Sequence, residues 1–129
     1  MTQTIFPAVR YRDADAALRF LKAAFGATEK SIYRDDAGVI RHGEILISGG
    51  LIMIGTADGE AADGPTADAM TLYVVVPEAG GVDAHHATAV AAGADVVRPP
   101  QDMDYGSHEY GVRDPEGHAW SFGTYDPNA

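Results

Sequence analysis

Residues 105–125 read YGSHEYGVRDPEGHAWSFGTY, two strands joined by one tight turn. Tyr110 to Arg113 leads in, Asp114-Pro115-Glu116-Gly117 reverses the chain, and His118 to Tyr125 leads out. Proline fixes φ in the turn and Gly117 accepts a φ that other residues avoid, so the reversal has a mechanism. Alternation along the outgoing strand puts Trp120, Phe122 and Thr124 on one face and Ala119, Ser121 and Gly123 on the other. A face that bare either receives another element closely or leaves room for a ligand, which makes this hairpin the expected wall of a cavity. An ordinary core hairpin is the competing account.

Working outward, the 129 residues suffice for one compact domain. A hydrophobic content of 46% with interspersed charge excludes a disordered chain. The longest apolar runs, Leu51 to Ile54 and Leu72 to Val76, fall far short of the ~20 residues of a membrane span. The N-terminal residues MTQTIFPAVRYRD lack the basic segment and apolar core of a secretory signal, so a soluble, cytoplasmic chain is expected. With no cysteine, disulfides, thiol nucleophiles and thiolate metal sites are excluded. A formal charge of −10 without a basic stripe repels a phosphate backbone, so nucleic acid is not an expected partner, whereas a cationic ligand is attracted. Acidity serving solubility alone is the alternative.

Strand and helix signals then follow in order. A short strand in residues 4–12 precedes Asp13, a helix N-cap, and Leu18, Leu21 and Phe25 recur at helical spacing until Gly26, predicting a helix over 14–25. Strands are predicted over 30–34, 39–48 and 51–55. Residues 57–69 hold small, acidic and turn-forming residues and read as a linker. The pattern restarts with a strand over 70–76, a turn over 77–81, a helix over 82–92 ending at Gly93, and a strand over 95–98 stopped by Pro99-Pro100. The order strand, helix, strand, strand, strand thus occurs twice in a single domain of residues 1–129: a first unit over 4–56 and a second over 70–126. One helix covers only one face of a sheet, so two such units can arrange their open faces around a shared concave site.

The segments VRYRDADAALRFLKAAFGA, RHGEILISGGLIMIG and above all EYGVRDPEGHAWSFGTY resemble the vicinal oxygen chelate superfamily, which includes glyoxalase I, extradiol dioxygenases and bleomycin-resistance proteins. The chain is most similar to the glyoxalase and bleomycin-resistance branch, over Phe6 to Tyr125. The resemblance implies an α+β fold of two tandem βαβββ modules, a curved sheet around a shared cavity, and a homodimer. Metal-dependent members take ligands from the first and last strand of each module. Those positions fall here on Phe6, Met53, Thr71 and Ser121, which make no plausible ligand set for a first-row metal. A slip of one residue brings in Ile5 or Pro7, Ile52 or Ile54, Met70 or Leu72, and Trp120 or Phe122, with the same outcome. No cofactor and no metal ligand is therefore predicted, and a divalent metal stays a secondary alternative.

Candidate chemistry narrows to a few side chains. His42 and Glu44 share one strand face, opposite Ile45 and Ile47, and are the candidate catalytic pair for a proton, a cation or an improvised metal site; a plain polar face beside Arg41 is the competing reading. His108 and Glu109 point to opposite faces, His118 is expected to bond backbone beside its turn, and His85 and His86 read as surface residues of the second helix. Arg10 can meet an anionic substrate or pair with a surface carboxylate. Phe6, Tyr73, Tyr105, Tyr110 and Trp120 can stack a planar ligand or cap a cation, or can serve the core; Met53 with Phe6 forms an apolar floor where the resemblance implies metal ligands in other members, and Ser121 is a further candidate ligand contact. These features predict a small-molecule binding and sequestering protein of the bleomycin-resistance type, with an antibiotic-resistance role borrowed from the resemblance, favouring an aromatic or cationic ligand. A glyoxalase-like lyase or isomerase, with an atypical metal or metal-free acid-base site on His42 and Glu44, is the alternative.

Overall fold

The computed structural model describes residues 3, 6–57 and 70–126; most of the expected linker and the beginning of the first expected strand lie outside them. Two βαβββ modules follow one another. The first comprises β1 (Ala8–Tyr11), α1 (Ala14–Phe25), β2 (Thr28–Arg34), β3 (Ile40–Ile47) and β4 (Gly50–Thr56), with sheet order β1-β4-β3-β2. The second comprises β5 (Thr71–Val75), α2 (Ala79–Ala91), β6 (Asp95–Asp102), β7 (His108–Arg113) and β8 (Ala119–Gly123), with order β5-β8-β7-β6. In each sheet the first and last strands of the module are parallel central-to-edge neighbours, and the other pairings are antiparallel.

Helix α1 starts where the sequence places it. The Asp13 side chain accepts from the Ala16 amide at 3.0 Å, and Gly26 ends the helix at φ 71°, which costs a glycine little. Its apolar stripe buries Leu18, Leu21, Ala24 and Phe25 against Ile45, Ile47, Ile52 and Ile54 of its own sheet, in one core that also holds Tyr110, Val112, Trp120 and Phe122. Phe25 links the modules directly, with its ring 5.1 Å from Trp120 and 4.8 Å from Phe122.

Two expectations need correction in the second module. Helix α2 begins three residues early, at Ala79, and takes in Gly80 and Gly81, which read as turn residues. Strand β6 runs through Pro99 and Pro100 to Asp102. It is an edge strand, and its pairing with β7 is irregular between Arg98 and Gln101, so the two missing amide donors cost the ladder nothing. No helix among the described residues is long and apolar enough to cross a membrane.

The DPEG turn does more than reverse the chain. Asp114 is buried and accepts from the Tyr11 hydroxyl at 2.6 Å, from Trp120 Nε1 at 3.2 Å, and from the Glu116 and His118 amides at 3.1 Å each. Glu116 accepts from the Arg12 and Asp13 amides at 2.6 and 2.8 Å, and His118 Nε2 donates to the Arg10 carbonyl at 3.1 Å. The β7–β8 turn is thereby clasped to the junction of β1 and α1. The other module answers in kind, since Ser48 in the β3–β4 turn donates to the Val75 carbonyl at 3.0 Å, at the end of β5.

Candidate functional site

Each sheet buries one face on the helices and leaves the other open. On sheet β5-β8-β7-β6 the register lines up Tyr73, Ser121, Gly111 and Arg98 across four strands, with Gly123 and Glu109 paired alongside. The bare face of the hairpin is therefore filled by long side chains from its neighbours. A Cβ on Gly111 would meet Arg98 Nη1 at 3.1 Å; one on Gly123 would meet the Tyr73 hydroxyl at 2.7 Å and collide with Glu109. Small residues at these two positions are what let Arg98, Glu109 and Tyr73 lie flat on the sheet.

Glu109 is the centre of this arrangement. Its side chain is only 6% exposed, yet its nearest cation, Arg98 Nη2, stands at 3.6 Å, beyond hydrogen-bond range. Arg98 Nη2 also reaches Ser121 Oγ at 3.4 Å, and Arg98 Nε is buried without a partner. The Tyr105 hydroxyl donates to Glu109, and that bond, ahead of burial, holds the phenol above its ordinary range. Tyr73 donates to the Tyr125 carbonyl at 2.8 Å, and burial raises its phenol as well. Tyr73, Tyr105, Tyr125 and Glu109 together line a hollow of 580 Å³, with the Tyr105 and Tyr125 rings 6.3 Å apart, edge to face. A buried carboxylate with incomplete neutralisation, at the base of a tyrosine-walled hollow, suits a flat cation.

On sheet β1-β4-β3-β2 the open face carries Ala8, Met53, Glu44 and Ser31 in one cross-strand row, with Arg10 paired to Gly55 and His42 paired to Tyr33 beside it. His42 Nε2 donates to Glu44 at 2.9 Å, and Lys30 donates to the other Glu44 oxygen at 3.2 Å. These two bonds, that from His42 first, hold the Glu44 carboxyl below its usual range. Arg10, His42 and Met53 line a hollow of 160 Å³. Phe6 precedes β1 and is 40% exposed. A third hollow, of 340 Å³, is lined by both modules, where Ile47 to Ile52 face Leu72 to Val75.

The expected site residues thus divide. Arg10, His42, Glu44 and Met53 gather on one open face; Tyr73, Tyr105 and Ser121 gather on the other, with Glu109. Tyr110 and Trp120 do not join either, because they sit on the helix-facing side of their strands at 0% and 1% exposure. Trp120 stacks above Phe122 and Tyr110 bonds His85 at 2.5 Å, so both belong to the core and are withdrawn as ligand contacts. Thr124 follows the end of β8 and closes the ladder to His108. His85 is no surface residue either, with its ring 4.1 Å from Phe122. Sequence reasoning missed Arg98 and Tyr125. The signal for Arg98 was present in the run of small residues at Gly111, Ser121 and Gly123, which calls for a long side chain from the adjoining strand.

Phe6, Met53, Thr71 and Ser121 offer a thioether and two hydroxyls but no imidazole or carboxylate, and among the described residues no group of three His, Cys, Asp or Glu converges as a metal site. A metal of the kind used on related scaffolds does not fit these donors.

The sequence profile described as the Glyoxalase/Bleomycin resistance protein/Dioxygenase superfamily matches residues 5–122. An uncharacterised protein of Mycobacterium bovis is 31% identical over 118 residues, covering 86% of this chain and 76% of its own. Among solved structures, TioX from Micromonospora sp. ML1 is 34% identical, with TM-score 0.72 and 94% of both chains covered. The genomically encoded fosfomycin resistance protein FosX from Listeria monocytogenes superposes with TM-score 0.76 over 99% of this chain and 97% of that one, at 16% identity, a likeness of fold alone.

Proposed function

Because the chain belongs to the Glyoxalase/Bleomycin resistance protein/Dioxygenase superfamily, whose scaffold serves many chemistries, we propose its function from the site and not from the fold. It is a small-molecule binding protein that takes up a planar aromatic cation and sequesters it without turnover. The observation that supports this most is Glu109, a buried carboxylate in the 580 Å³ hollow walled by Tyr73, Tyr105 and Tyr125. Tyrosine faces stack the ligand, Glu109 meets its charge, and the chain's charge of −10 raises the local concentration of cations. Phe6, Tyr33, Met70, Tyr105 and Tyr125 are large apolar side chains left exposed, which supports a second copy of the chain as partner across the open faces.

The pair His42–Glu44 at 2.9 Å favours one other reading, a lyase or isomerase using acid-base chemistry on that face. Incubation with the planar cation proflavine and with α-keto aldehyde adducts of thiols separates the two. Saturable binding with quantitative recovery of unchanged ligand supports sequestration. Turnover of an adduct, abolished by Glu44→Gln, without proflavine binding contradicts it.

A further inference from the structure

We propose that the open face of the first module holds an oxyanion subsite, built around Arg10 and opposite in charge to the Glu109 hollow of the second module. In a chain with 19 acidic against 9 basic side chains, an arginine is expected to have a carboxylate beside it. Arg34 has Asp15 at 2.8 Å, Arg41 has Asp35 at 3.4 Å and Arg98 has Glu109 at 3.6 Å. The Arg10 guanidinium has no carboxylate within 4.0 Å among the described residues, although β1 is the strand that carries it to the sheet's open face.

The surroundings keep that guanidinium available. Arg10 pairs across the strands with Gly55, and both line one hollow with His42 of β3. A Cβ on Gly55 would meet Arg10 Nη1 at 3.6 Å and the Arg41 carbonyl at 3.1 Å, so the missing side chain opens the gap between Arg10 and His42. That gap is the 160 Å³ hollow, with Met53 and Ala8 as apolar floor. At ~30 Å³ per water, it has room for a carboxylate or phosphate group with some of its hydration. Glu44, on the same open face, is engaged on both oxygens by His42 and Lys30 and makes no ion pair with Arg10. A planar fork of N–H donors above an apolar floor selects an oxyanion in bidentate contact over a simple halide. The subsite takes the anionic group of a small organic acid or phosphate ester, and it stands whether or not the second module binds cations.

Amide and arginine side-chain NMR resonances, followed during titration with inorganic phosphate and with acetate at constant ionic strength set by chloride, test this. Saturable shifts centred on Arg10 Nε, Met53 and Gly55, with affinity in about the millimolar range, are expected. Arg10→Gln should weaken them by roughly tenfold or more with an otherwise unchanged spectrum, and Gly55→Ala should weaken them by narrowing the gap. Shifts that never saturate, that centre elsewhere, or that survive Arg10→Gln would overturn the proposal. Proflavine binding by the same Arg10→Gln protein reads out the second module separately, so failure of one site is told apart from failure of the other.

Discussion

Tyr11 and Asp114, 103 residues apart in sequence, meet in the interior at 2.6 Å, the phenol donating to the carboxylate. Burial, and then the charge of Asp114, pushes the Tyr11 phenol far above its ordinary value, so it remains a donor throughout the working range of pH. A buried carboxylate must be fully engaged to be tolerated, and here two side chains and two backbone amides supply the donors. The best-defined motif in the sequence is therefore a structural clasp between modules.

Removal of the phenol hydroxyl in Tyr11→Phe should cost about 1.5–3 kcal/mol, the range for a hydrogen bond to a charged group. Asp114→Ala should cost about 3–5 kcal/mol, since it strands several buried donors at once. Urea unfolding of both single variants and the double variant checks this. The double variant should be scarcely less stable than Asp114→Ala, because the Tyr11 contribution passes through that carboxylate.

Two histidines where α2 packs on β7, His85 on the helix and His108 at the start of the strand, have opposite pH responses. His85 lies against Phe122, Phe25 and Tyr110, with no carboxylate paired to it among the described residues, and burial lowers its pKa from 6.5. The unfolded chain then binds the proton more readily, so stability is intact above about pH 6.5 and declines as pH falls below it. His108 lies between Asp83 at 2.8 Å and Asp102 at 2.9 Å, and these bonds raise its pKa from 6.5. Its contribution is complete below about pH 6.5 and is lost as pH rises through the raised value. Unfolding followed across this range should show greatest stability near about pH 6.5. His85→Gln should flatten the acid limb and His108→Gln the alkaline one.

Gly123 should not tolerate a side chain. The Cβ of Gly123→Ala would press on Glu109 and stand 2.7 Å from the Tyr73 hydroxyl, displacing two walls of the hollow. A loss of roughly 1–3 kcal/mol in stability is expected from overpacking, together with weakened proflavine binding. Ala119→Ser, on the same strand, is the control; it should leave proflavine affinity within about twofold, a change of under 0.5 kcal/mol.

Much of this fold was legible in the residues. Asp13, the Leu18-Leu21-Phe25 stripe and Gly26 fix α1, because cap, period and stop agree. Pro99 and Pro100 misled the reading of β6, since a proline ends a strand only where its amide is needed, and edge position is a tertiary property. Alternation in β8 correctly paired Trp120 with Phe122, but it could not say which face met the helices. That is why Trp120 and Tyr110 were expected beside a ligand and lie in the core. Arg98 escaped notice for a related reason. The small residues Gly111, Ser121 and Gly123 call for a long neighbour, but only the register of Arg98 with Gly111 across β6 and β7 decides which residue supplies it.

The most direct test of the binding account is calorimetric titration of proflavine into the wild-type chain and into Glu109→Gln, with the fold of each verified by its unfolding transition. Saturable binding by the wild type, weakened by about tenfold or more in Glu109→Gln and reduced by added salt, is the result the account predicts. Absence of saturable binding to the wild type, or equal affinity in the two proteins, would contradict it.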